Sequence, residues 1–137
     1  MLINLSNHPK VTWQKLQLET AQEIYGEIID LPFPSISASA NVEEVIELSK
    51  NFANKVIKKL TKDDEYMNAV HVMGEFTFTY NFVNEMNLHG IETVVSTSER
   101  VVKITDDGIK QSFFNFCVFR NYNSSKNCNN IKGEEID

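Results

Sequence analysis

The sequence is short of the features that announce a chemistry. It contains no GxGxxG or GxxxxGK[ST] loop to cradle a phosphate. It has no HExxH, and no cysteine pair or carboxylate cluster at ligand spacing, so neither a metal nor a cofactor is implied. No serine sits in a G-x-S-x-G elbow, so covalent catalysis is not indicated. Cysteine is scarce: Cys117 lies in an apolar run and Cys128 in a polar one, the usage of a reducing, cytoplasmic compartment. No apolar run exceeds strand length, so no transmembrane helix and no membrane partner are expected, and no secretory signal is visible. Positive charge is short as well. The net charge is −6, whereas affinity for long DNA or RNA is built on basic phosphate contacts. Long nucleic acid is thereby disfavoured. A small phosphorylated ligand, held by a few local donors, is not.

What is present is an ordinary globular composition. The 137 residues are 42% apolar and 23% charged, enough for one domain with one substantial core. Residues 69–100 organise the rest. A short apolar run over 69–73 is broken by Gly74. Phe76, Thr79, Phe82, Val83 and Met86 then recur at helical spacing, and His89-Gly90 supplies a helix stop. A second apolar run, TVVS, follows at 93–96. Phe76, Phe78, Tyr80 and Phe82 also alternate with polar residues, a strand signature. The helix is preferred because two buried parallel strands need a crossover between them.

Around this unit the chain supplies further elements. Residues 2–5 form a first strand, ended by the turn Ser6-Asn7-His8-Pro9. A first helix starts near Thr12, with Trp13, Leu16, Thr20, Ala21 and Ile24 inward and Leu18 off the stripe. Residues 27–31 form a second strand, ended by Pro32-Phe33-Pro34. Asn41 caps a second helix, the clearest amphipathic stretch in the chain. Past Arg100, residues 101–104 and 110–122 make a hairpin around Asp106-Asp107-Gly108, with Phe114, Phe116 and Val118 alternating on one side. This hairpin is apolar on both faces and needs cover, which suits a second subunit. The expected fold is α/β: a three-layer, Rossmann-like, mostly parallel sheet of order 2-1-3-4 with a C-terminal antiparallel β-hairpin. Residues 1–122 form the single domain, and 123–137 a polar, flexible tail.

Open α/β sheets bind ligands where the strand order reverses, beyond the carboxyl ends of the strands. The turns expected there carry Ser6, Asn7 and His8, then Gly74, Glu75 and Thr77, then Thr97, Ser98 and Arg100. His8 suits phosphate donation or general acid–base work, or simply holds its turn. Asn7 and Ser6 can bond a ligand or their own loop. Gly74 permits close backbone approach. Glu75 either complements the helix dipole, or binds a ribose hydroxyl or orients a nucleophile. Arg100 is a bidentate anion ligand or half of an exposed ion pair. His71, inside a strand, reads as packed, and His89 as a surface residue.

The stretches LINLSNHP, GEFTFTYNFVNEMNLHGI and VVSTSER resemble those of small, single-domain CRISPR-associated Rossmann-fold proteins, the CARF-like group, over residues 1–122. Some members are ring nucleases. The resemblance implies a homodimer in antiviral signalling, with a cyclic oligoadenylate lying across its two-fold axis. It implies metal-independent cleavage, in which a ribose 2′-hydroxyl attacks its own 3′-phosphate. On this chain Ser6, Asn7 and His8 match the family's strand-one site turn, and Thr77, Ser98 and Arg100 the positions expected to hold phosphate. Taken with the rim reading, His8, Asn7 and Glu75 are the expected catalytic residues, and Ser6, Gly74, Thr77, Thr97, Ser98 and Arg100 the expected ligand contacts. No lysine is evident on the rim, where related proteins add positive charge. The alternative is a non-enzymatic, dimeric module for a nucleotide or phosphorylated metabolite.

Overall fold

The computed structural model describes residues 1–61 and 65–123. Strands β1 (Leu2–Ser6), β2 (Ile28–Pro32), β3 (Ala69–Met73), β4 (Glu92–Ile104) and β5 (Lys110–Asn121) form one sheet of order β2-β1-β3-β4-β5. The pairings among β2, β1, β3 and β4 are parallel, and β5 runs antiparallel to β4. Helices α1 (Lys15–Tyr25), α2 (Val42–Lys59) and α3 (Phe76–Leu88) are the crossovers between successive parallel strands. The expected α/β class and strand order are both present, as is the C-terminal antiparallel pair. The expected tail lies outside the described residues except for Asn123.

Side-chain alternation splits the sheet into two apolar faces. Ile3, Leu5, Val70 and Val72 pack under α2 and α3, against Val56, Phe78 and Phe82. Leu2, Ala69 and Val94 face the other way, against Trp13, Ala21 and Tyr25 of the α1 segment. Phe78 and Phe82 are fully buried and stacked 5.8 Å apart, each contributing about 2 kcal/mol by leaving water. The segment from 76 to 88 is therefore a helix. Its stripe is Phe78, Thr79, Phe82, Val83 and Met86, while Phe76 is 91% exposed. Ile91 N–H donates to Met86 O at 2.9 Å just past α3, and Gly90 makes that turn at φ +68°, where a side chain would be strained.

Three expectations need correction. Thr12 does not cap α1: its Oγ1 donates to Pro9 O at 2.7 Å within a 3-10 turn over Lys10–Thr12. The helix starts later, so its buried residues are Ala21 and Tyr25, while Leu16 and Ile24 face solvent and Leu18 packs. Next, the expected turn at 97–100 does not exist. Residues 92–104 form one strand, because β5 pairs with it from Val94↔Asn121 to Ile104↔Lys110 and carries the ladder through the turn-like residues. Finally, Ser96 pairs with Phe119 but Ser98 with Phe116, so β5 holds an extra residue in a bulge. The bulge breaks the expected alternation. Phe116 and Phe119 pack together at 4.9 Å, and Val118 turns outward.

β3 pairs with β4 only over 92–94. Beyond the end of β3 the β4–β5 ribbon continues alone as an arm, residues 97–104 of β4 extending ~26 Å. It carries Val102, Ile104, Ile109, Phe113 and Phe114 exposed to solvent.

Candidate functional site

Three polar residues interrupt the apolar runs of β2, β1 and β3 at a common level. Asn4 sits in register with Asp30 of β2 on one side and His71 of β3 on the other. All three therefore project from the α1 face of the sheet, where Asn4 and His71 are fully buried. Polar groups buried at that depth must find partners, and these find each other. Asn4 Nδ2 donates to Asp30 Oδ1 at 2.8 Å and to the His8 carbonyl at 2.9 Å. Both donors are thus spent on pure acceptors, which makes the other amide atom the oxygen. Asn4 Oδ1 accepts from Ser6 Oγ and lies 2.8 Å from His71 Nδ1.

That contact fixes the imidazole. His71 carries its proton on Nδ1 and presents a lone pair on Nε2. Ser96 Oγ lies 3.1 Å from that nitrogen and 3.0 Å from Met73 Sδ. The edges of Trp13 and Phe119 close around the ring. Burial pushes the His71 pKa down from 6.5 to about 4, with His8 nearby as the second cause.

The Ser96 end of this chain opens on a cleft of about 470 Å³ at the carboxyl edge of the parallel strands. His8, Gln17 and Ser98 line it, with Trp13, Phe114 and Phe116 as its apolar walls. Two devices hold the walls in place. The His8 carbonyl accepts from Trp13 Nε1 at 2.9 Å as well as from Asn4, which leaves the imidazole to the cleft. Gln14 donates through Nε2 to Phe114 O and accepts Phe116 N–H on Oε1, stapling the start of α1 to the arm.

The residues expected on the rim divide between places. His8 and Ser98 line this cleft together. Ser6 is buried in the Asn4 network and, with Asn7, borders a different hollow. Asn7 is exposed, beside a smaller hollow of about 220 Å³ above β2. Gly74 is elsewhere, in an apolar cavity of about 580 Å³ with Phe76, Tyr80 and Val83, lined by no histidine, carboxylate or cation among the described residues. Its lack of a side chain serves packing rather than ligand approach: a Cβ there would collide with the Phe33 ring. Glu75 is an exposed N-cap whose oxygens accept the Thr77 and Phe78 N–H groups, holding its carboxyl below the usual range. Thr77 is exposed on that first turn. Thr97 bonds Val118 across the ribbon through Oγ1. Arg100 lies two residues beyond Ser98 on the same strand face, donating to Ser112 Oγ at 3.1 Å.

Among the described residues, no three His, Cys, Asp or Glu side chains gather as metal ligands would. No helix of theirs is long and apolar enough to cross a membrane. A family model described as "Uncharacterized protein MJ1673 family" matches residues 1–120. The chain belongs to that family. The match spans every strand and helix of the fold except the last residue of β5. No curated protein and no solved structure matches the chain.

Proposed function

We propose that this family member is a Rossmann-like, CARF-like module of the cytoplasm that binds a cyclic oligoadenylate and works as a dimer. The observation that carries the reading is convergence. The β1 turn, the end of β3 and the middle of β4 bring His8, His71, Ser96 and Ser98 to one cleft beside the β1–β3 pair, where the strand order reverses. Its polar floor and aromatic walls suit the sugar and base of a nucleotide. Arg100, next outward along the β4 face, is placed for a phosphate that extends past the cleft.

One cleft of about 470 Å³ is in the range for a single small ligand. A ring of several nucleotides outgrows it and calls for a second copy, and the exposed apolar arm beside the cleft supplies a surface for one. Cleavage of a bound ring would proceed by 2′-oxygen attack on the adjacent phosphorus, with loss of the 5′-oxygen and formation of a 2′,3′-cyclic phosphate. His8 is the group in the cleft suited to move that proton. Glu75 is occupied in capping α3, which weakens its expected catalytic part.

That weakening favours the second reading, a module that binds a nucleotide or phosphorylated metabolite without cleaving it. Incubation with cyclic tetra- and hexa-adenylate, with and without chelator, separates the two when products are resolved by chromatography. Linear or 2′,3′-cyclic products supports cleavage. Thermal stabilisation by a ring that stays intact supports binding alone. Stabilisation by mononucleotides and not by rings supports the metabolite module, and no response to either ring rejects the cyclic oligoadenylate reading.

A further inference from the structure

We propose that Ser96 is an activated nucleophile and that the cleft hydrolyses small, uncharged carboxylic esters, an activity independent of the nucleotide reading. The sequence shows no nucleophile elbow, yet the fold assembles the parts one needs: a hydroxyl, a base within reach of it, and a third group that orients the base. Ser96 Oγ is 3.1 Å from His71 Nε2, and His71 Nδ1 is 2.8 Å from Asn4 Oδ1. Asn4 is locked in turn by Asp30 and the His8 carbonyl. The tautomer is the one the chemistry requires, with the acceptor nitrogen toward the hydroxyl. Of the two acceptors near Oγ, the imidazole nitrogen is much stronger than the Met73 thioether.

The surroundings suit an ester. Ser96 opens on the cleft, and the base behind it, though almost wholly buried, lines the same cleft. Trp13, Phe114 and Phe116 offer an apolar seat for an acyl group, and Ser98 on β4 and Gln17 on α1, which line the same cleft, offer donors for a developing oxyanion. In the first step Ser96 Oγ bonds to the carbonyl carbon as its proton passes to His71 Nε2. The tetrahedral adduct collapses, the bond from that carbon to the alcohol oxygen breaks, and the departing oxygen takes the proton from Nε2. Water, deprotonated by the same nitrogen, then attacks the acyl-serine. The carboxylic acid leaves and Ser96 regains its proton. Ester and water become acid and alcohol.

Full-length protein treated with a fluorophosphonate, followed by intact mass and peptide mapping, tests the proposal without any variant. The expected result is one adduct per chain, on Ser96, with p-nitrophenyl acetate turnover lost on modification. Ser96→Ala should abolish both signals. His71→Gln, checked for native circular dichroism, should slow adduct formation at least tenfold. An unmodified chain, an adduct spread over other serines, or a folded His71→Gln protein that labels at the parent rate would overturn it.

Discussion

At the scale of single residues, the neutral, oriented state of His71 is the feature with most consequences. Its pKa is about 4 in the folded protein and 6.5 as a free side chain. The unfolded chain therefore binds the extra proton first as pH falls, so stability is full above about 6.5 and declines toward 4. The loss is about 3 kcal/mol at most. Burial is the main cause of the lowering and the nearby His8 adds to it, while Asp30 stands behind Asn4. Urea midpoints measured from pH 7 to pH 4 should drop in the parent chain and flatten in a folded His71→Gln variant. Imidazole nitrogen spectra should show the proton held on Nδ1 at pH 5.5; a ring already cationic there contradicts the buried network. None of this was legible from the residues one at a time. His71 alone is a packed histidine and Asn4 an odd polar residue in LINLS. Only the register, which sets Asp30, Asn4 and His71 side by side, turns three oddities into one site.

At the scale of elements, the sequence was most informative where local chemistry and packing agree. Asn41 was legible as a cap because its side chain has one nearby task, accepting Glu44 N–H at 2.9 Å. Asn41→Ala should cost about 1 kcal/mol in thermal or urea unfolding. Gly74 was legible as special, but the reason was tertiary. Gly74→Ala forces the Phe33 ring aside and should destabilise by about 1–3 kcal/mol, and Phe33→Leu in that background should recover part of the loss. The TSER segment misled because serine, threonine and charge mark turns in isolation. Here β5 pairs with every turn-like residue or its neighbour, and the exposed ribbon tolerates their polarity. The bulge near Ser98 had no local signature at all, since it arises from how two strands of unequal count share a ladder.

At the scale of the whole molecule, an acidic domain carries one projecting arm with apolar side chains on it. Burial of that arm against a second copy predicts a dimer in sedimentation velocity at micromolar concentration. Phe113→Glu should shift the population to monomer while leaving circular dichroism unchanged, because Phe113 is exposed within one chain. A monomeric parent protein would remove the second subunit from the proposal. The central claim is that distant segments make one ligand seat between the β1 turn and the arm. Titrating isotope-labelled protein with cyclic tetra-adenylate, and following the His8 and His71 imidazoles with the Ser96 and Ser98 amides, tests it most directly. Concerted, saturable shifts at those four positions are predicted. Saturable shifts confined to the Phe76–Tyr80 cavity, or no shifts anywhere, would contradict it.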